Sequence, residues 1–214
     1  MGRSLVIFDF DGTVADSFAE SLLAYNRVAP RLRLRRVAEA EIPELRRMGA
    51  GRLMQVLGVP MWKLPRLMIA VRAELMDHFH SVSPVPGIGE ALRELAGAGH
   101  HLAIVTSNSQ ANVRGFLARH DLALFPTIVA GTSVFGKSTR LRRLLKAAHV
   151  DCSEAVYIGD TTPDLRAARE AGTAAVAVTW GFSDREPLAA ENPDAVVDAT
   201  SELAAAVLRV VGNR

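Results

Sequence analysis

The sequence predicts an α/β fold: a doubly wound, mostly parallel sheet carrying a small all-helical insertion. Three observations lead there. From Ile88 onward short apolar runs alternate with helical patterns, as in a parallel sheet covered by helices on both faces. Between about Ala15 and Ser81 the pattern is helical with no strand signal. The apolar runs also end in polar motifs, and open α/β sheets bind their ligands beyond the carboxyl ends of strands. The expected core is therefore Rossmann-like, built from residues 1–14 and 83–214, with residues 15–82 inserted as a helical cap.

Taken in order, Leu5-Val-Ile-Phe8 reads as a buried strand. Ser17-Phe-Ala-Glu20 has the spacing of a capping box, and Phe18, Leu22, Tyr25 and Val28 follow at helical intervals. Further helices are expected over Val37 to Met48, Gly51 to Leu57 and Leu64 to Phe79, the last with Pro65 in its first turn. Ser83-Pro-Val-Pro-Gly87 is stiff and reads as the return linker. Strands are then expected at His101 to Thr106, Thr127 to Ala130, Ala155 to Asp160, Ala174 to Thr179 and Ala195 to Val197. Between and after them, helices are expected at Ile88 to Ala98, Ala111 to His120, Lys137 to Ala148, Pro163 to Ala171 and Glu202 to Val211.

The chemistry concentrates at strand ends. Leu5 to Phe8 runs into Asp9-Phe-Asp11-Gly12-Thr13, two carboxylates two residues apart. Anions that close must be neutralised by a cation, share a proton, or be separated by solvent. A hard divalent metal resolves the conflict, since Mg²⁺ takes oxygen ligands and is commonly held by one or two carboxylates plus a phosphate. The His101 strand delivers Thr106-Ser107-Asn108-Ser109, where hydroxyls and amides ahead of a helix suit an anion, although Ser109 also reads as an ordinary helix cap. Gly159-Asp160-Thr-Thr-Pro-Asp164 places Asp160 at another strand end, with Asp164 in a first helical turn.

Gly131-Thr-Ser-Val-Phe-Gly136-Lys137-Ser138 satisfies a nucleotide-binding P-loop pattern, with Asp160 as its possible acidic partner. A P-loop enzyme is thus a rival reading. Val134 and Phe135 are bulky for a loop that wraps phosphate, and that reading leaves Asp9 and Asp11 unexplained.

Asp9-Phe-Asp11-Gly12-Thr13-Val14 resembles the first motif of the haloacid dehalogenase-like hydrolases. Thr106, Lys137 and Gly159-Asp160-x-x-x-Asp164 are similar to the second, third and fourth, in family order and with a helical insertion directly after the first. The resemblance implies that Asp9 is a nucleophile forming an aspartyl-phosphate and that Asp11 is the acid and base. It implies that Thr106 and Lys137 hold the phosphoryl group, with Ser107 and Asn108 beside them. It also implies that Mg²⁺ is held by Asp9, the Asp11 carbonyl and Asp160, with Asp164 in the metal site behind these ligands or in water-mediated contact. The second Asp favours phosphoesters over carbon–halogen bonds. The insertion and Trp180-Gly181 resemble the phosphoglycolate phosphatase-like members. A phosphosugar mutase shares these motifs, and a receiver domain shares the Asp, Thr and Lys constellation but lacks a helical cap.

Composition narrows the classes. With 214 residues, 49% of them hydrophobic, the chain has ample material for a core, and its formal charge of +2 argues for neither nucleic acid nor membrane as a partner. The single Cys152 excludes an intrachain disulfide and a thiolate zinc site and fits a reducing cytoplasm. No apolar run approaches the roughly 18 residues of a membrane span, and the residues before the first strand are too few for a signal peptide. The expected substrate is a small phosphorylated metabolite. Residues 15–82 carry eleven Lys and Arg against seven Asp and Glu. Arg31-Leu-Arg-Leu-Arg-Arg36 supplies much of that excess, either as a solvated loop or as a lure for an anionic substrate.

Overall fold

The computed structural model describes residues 4–46, 48–77, 79–131 and 136–212. Along the chain run β1 (Leu5–Phe8), β2 (Ala15–Asp16), α1 (Phe18–Val28), α2 (Ile42–Arg46), α3 (Gly49–Val56), α4 (Leu64–Asp77) and β3 (Ser83–Pro84). Then come α5 (Ile88–Gly97), β4 (His101–Thr106), α6 (Gln110–Arg119), β5 (Thr127–Ala130), α7 (Lys137–Ala148) and β6 (Ala155–Gly159). The chain closes with α8 (Thr162–Ala171), β7 (Ala174–Val178), α9 (Arg185–Ala190), β8 (Ala195–Val197) and α10 (Thr200–Gly212).

Six strands form one sheet in the order β5-β4-β1-β6-β7-β8, and every pairing in it is parallel. Phe8 lies opposite Ile104 of β4 on one side and Ile158 of β6 on the other. From β1 the chain builds outward through β4 to β5, then returns to β6 and builds toward the opposite edge. β1 thus marks the switch point, where the helices on its two sides diverge and leave a crevice above the strand ends.

Alternation along β1 explains its wholly apolar character. Val6 and Phe8 join the core under α5, α6 and α10, with Leu92, Phe116 and Leu203. Leu5 and Ile7 join the opposite core under α7, α8 and α9, with Leu141, Leu165 and Leu188. A strand buried on both faces has no position for a polar side chain until it ends. A third core lies in the helical insertion, where Phe18, Leu22, Tyr25 and Val28 of α1 pack with Leu45, Leu53, Leu57 and Leu67.

Four local features differ from the sequence reading or add to it. The insertion is bounded by a small antiparallel ribbon, with Ala15 opposite Pro84 and Asp16 opposite Ser83. Two-residue strands arise from bringing distant segments together, so no local periodicity announces them. The Ser17–Glu20 capping box does not form, because the Ser17 side chain is fully buried and makes no capping bond to α1. The helix expected from Val37 begins instead at Ile42, after a turn in which the Glu41 carboxylate accepts the Ala38 N–H at 2.7 Å. Upstream, both ends of the Asn26 amide are bonded to the backbone of Val37, which fixes that residue in an extended approach. Finally, Arg185–Ala190 forms a short helix in a stretch to which the sequence assigns no element.

Phe10 shows how the sheet holds the polar turn that follows β1. It is fully buried, edge-on to Phe116 at 5.1 Å and tilted against Phe79 at 5.6 Å, beyond the end of α4. Phe10→Ala should destabilise the protein by about 3–5 kcal/mol and Phe10→Leu by much less, measured as a shift in urea-unfolding midpoint.

Candidate active site

The site is assembled from the residues that follow β1, β4 and β6 and from the first residue of α7. Immediately after Phe8 the Asp9 N–H donates to the Ile158 carbonyl at 2.8 Å, prolonging the β1–β6 ladder by one bond. The chain then turns, with Val14 and Ala15 N–H groups both donating to the Phe10 carbonyl at 2.9 Å. Gly12 takes φ +81° in this turn, and a Cβ there would run into the Asp160 carboxylate and the Phe182 ring. Only glycine tolerates both the left-handed backbone and the close approach. In this turn the Asp9 and Asp11 side chains go to different partners.

Asp9, Asp160 and Asp164 each offer a carboxylate oxygen, and those atoms lie within 4.8 Å of one another. Asp160 and Asp164 are completely buried, and Asp9 is 8% exposed. Lys137, the first residue of α7, is ion-paired to both Asp9, at 3.0 Å, and Asp164. Its ammonium also lies 5.7 Å from the centroid of the Tyr157 ring.

Asp164 is further fixed by the Tyr157 hydroxyl at 3.3 Å and by the Thr161 N–H at 3.0 Å. Thr161 and Asp164 form a reciprocal capping box at the start of α8. The helix cap is therefore Thr161, one residue earlier than the sequence pattern indicates. Asp160 accepts from the Thr13 hydroxyl at 2.9 Å and from the Phe182 N–H at 2.8 Å.

Charge follows from burial. Desolvation, reinforced by Asp164, pushes the Asp160 carboxyl up to about 7. It raises Asp9 well above the ordinary range, with Lys137 opposing and the neighbouring carboxylates assisting. Burial alone would lower Lys137, but Asp164 and Asp9 more than reverse this and keep it protonated. Two of the three buried carboxylates share one ammonium, all three offer hard oxygens, and the set fits a divalent cation.

The Asp11 carboxylate lies outside that cluster. The Asn108 amide donates to both of its oxygens, at 3.2 and 3.1 Å. Burial raises its pKa, opposed first by Asn108 and then by Ser17, Lys137 and Arg72. Thr106, at the end of β4, is 1% exposed, and its hydroxyl accepts the Asn108 N–H at 2.9 Å. Ser109 caps α6 by accepting the Asn112 N–H, and Ser107 stands half-buried on the same turn. Residues 132–135 of the P-loop-like segment lie outside the described residues, but Lys137 at its end is committed to the carboxylates.

A model of the haloacid dehalogenase-like hydrolases matches residues 6–178. The chain belongs to that family. Phosphoglycolate phosphatase of Synechococcus elongatus is 34% identical over 207 residues, spanning 96% of this chain and 98% of that one. The enzyme of the same name from Vibrio parahaemolyticus is 32% identical, spanning 93% of each. A haloacid dehalogenase-like hydrolase from Streptococcus pneumoniae superposes with a TM-score of 0.76 at 22% identity, covering 95% of this chain and 97% of that one. The protein is accordingly a hydrolase of the phosphatase class.

Within this family member, several contacts at the site carry little sequence signal. Tyr157 alternates with Val156 and Ile158 in an apolar strand and looks like core. Thr13 stands in the first motif, and Trp180 donates its indole N–H to the Thr13 carbonyl at 3.1 Å. A Cβ at Gly181 would strike Asp160, so Trp180-Gly181-Phe182 closes over that carboxylate.

Asp160 predicts a pH-dependent stability. Its folded-state pKa, about 7, lies above the unfolded value of about 3.9, so its contribution is complete below that value and is lost as pH rises through 7. His100, whose pKa is lowered by burial, runs the opposite way, so wild type should be compared with Asp160→Asn. In EDTA the variant should gain melting temperature relative to wild type between pH 5.5 and 8. Added Mg²⁺ should raise wild type more at pH 8 than at pH 5.5.

Proposed function

We propose that the protein is a Mg²⁺-dependent phosphatase that hydrolyses a small phosphate monoester, 2-phosphoglycolate, through an aspartyl-phosphate on Asp9. The observation that carries the reading is the buried Asp9–Lys137–Asp164 arrangement beside Asp160, together with full-length likeness to phosphoglycolate phosphatases. Residues 15–82 are read as a cap over a core of residues 1–14 and 83–214.

Asp9 attacks phosphorus in line with the ester oxygen. Asp11, its proton retained more readily because it is buried, donates to the departing alkoxide and then takes a proton from the water that hydrolyses the intermediate. Asn108 holds both Asp11 oxygens and so aims the proton. The Lys137 ammonium and the Thr106 hydroxyl offset charge on the transferring group, with Ser107 and Asn108 completing that strand end.

Asp9 and Asp160 would hold the cation, Asp164 supporting them directly or through water, with the Asp11 carbonyl as a further donor on family likeness. The ion supplies Lewis-acid charge neutralisation, letting a carboxylate approach a phosphate dianion. The chain has no helix among the described residues long and apolar enough to cross a membrane, and a cytoplasmic setting is part of this proposal.

Phosphate release from 2-phosphoglycolate, measured with Mg²⁺ and with EDTA, tests the reading. Turnover should require the metal. Asp9→Asn should lower kcat by at least about 10³-fold while retaining the fold, read from its circular dichroism, the scale expected when a nucleophile is removed. Substantial turnover by Asp9→Asn would reject the covalent route. Isomerisation of a sugar phosphate without phosphate release would point to a mutase instead.

A further inference from the structure

The face of α4 turned toward the core carries two contacts one helical turn apart. Arg72 donates a guanidinium N–H to the Gly131 carbonyl at 3.1 Å. The Met76 carbonyl accepts from the Asn112 amide at 3.2 Å. Residues at i and i+4 share a helix face, so both contacts fix the same side of α4 against the core.

Each contact leads into the catalytic residues. Gly131 directly follows Ala130, which pairs with Thr106 across the β4–β5 ladder. Arg72 is thus bonded to the residue that follows the strand neighbour of Thr106, at the same end of the sheet as the expected phosphoryl subsite. Asn112 in turn donates to the Asn108 side chain at 3.4 Å, and Asn108 grips Asp11. The positive charge of Arg72 is felt at Asp11. Arg140 stands on the same side, close enough that a Cβ on Gly131 would meet its guanidinium at 2.9 Å.

We propose that Arg72 recognises an anionic group on the leaving alcohol, selecting phosphate esters of short hydroxycarboxylic acids. The inference rests on the phosphatase reading above and deepens it. Asp11, as the acid, marks where the leaving oxygen lies, so a cation from the insertion on that side meets the organic part of the ester. A guanidinium presents a planar fork matched to a carboxylate. The basic Arg31–Arg36 run is a weaker candidate, its arginines being exposed.

The test compares kcat/KM for 2-phosphoglycolate and ethyl phosphate, two-carbon esters that differ in the carboxylate. Wild type should prefer 2-phosphoglycolate. Arg72→Gln should reduce the ratio by about 10- to 100-fold, the size of one lost charge-assisted hydrogen bond. Arg72→Lys should restore part of the ratio, and melting temperatures establish that both variants are folded. Inhibition by glycolate gives a second readout, weakening in Arg72→Gln more than inhibition by inorganic phosphate does. A parallel fall on both esters, or a ratio within about twofold of wild type, overturns the assignment. A wild type inert toward 2-phosphoglycolate but preferring phospholactate over isopropyl phosphate would reject the glycolate reading and support Arg72's role. No preference for any carboxylate-bearing ester would overturn that role.

Discussion

Three carboxylates held in a buried cluster around one ammonium are the constraint to which the surrounding structure answers. Asp9, Asp160 and Asp164 leave β1, β6 and the first turn of α8 and meet where water is largely excluded. Without compensation the charged form of such a cluster is disfavoured, which is why the Asp9 and Asp160 carboxyls titrate high. Lys137 supplies only one positive charge. The remaining terms are hydrogen bonds from Thr13 and Phe182 to Asp160, and from Tyr157 and Thr161 to Asp164. These donors orient the carboxylates without neutralising them, which leaves a set of hard oxygens suited to a cation.

The fold meets this constraint through strand order. Placing β1 between β4 and β6 brings three strand ends together, and starting α7 and α8 nearby brings in Lys137 and Asp164. The strands beneath the polar cluster are buried on both faces, and the polar group they do carry there, the Tyr157 hydroxyl of β6, is bonded to Asp164. Phe10 shows the coupling locally. It occupies the core between two acids, so the turn carrying Asp11 is held by aromatic packing rather than by polar contacts alone.

Much of this was legible in the chain because the signals are local. Asp160 ends an apolar run for no structural reason, Lys137 opens a helix after glycine, and Asp9 closes the first strand. Less legible were features set by long-range closure. The β2–β3 ribbon joins residues nearly 70 positions apart in sequence, and Tyr157 resembles any other residue of an apolar strand. The position of Asn108 after β4 marks it as a phosphate neighbour, whereas its amide is directed to Asp11. Ser17 had the spacing of a capping box, yet its side chain is buried near Asp11, where local helix chemistry yields to tertiary packing. Family membership follows from matches along the whole sequence, whereas partners such as Phe182 and Arg72 emerge only when distant segments are brought together.

The geometry also divides the site into two sides with different owners. Asp9, Asp160, Asp164 and Lys137 are anchored by β1, β6, α7 and α8, all elements of the sheet core. Asp11 connects through Asn108 and Asn112 to the Met76 carbonyl of α4, and Arg72 of the same helix reaches Gly131. On the proposed reading, phosphoryl chemistry belongs to the first side and the departing alcohol to the second. The insertion can then vary its α4 face to suit different alcohols without disturbing the carboxylate cluster. Since the Asp11 link ends on a backbone carbonyl, it depends on the position of α4 more than on the identity of residue 76, and selectivity falls chiefly to side chains such as Arg72.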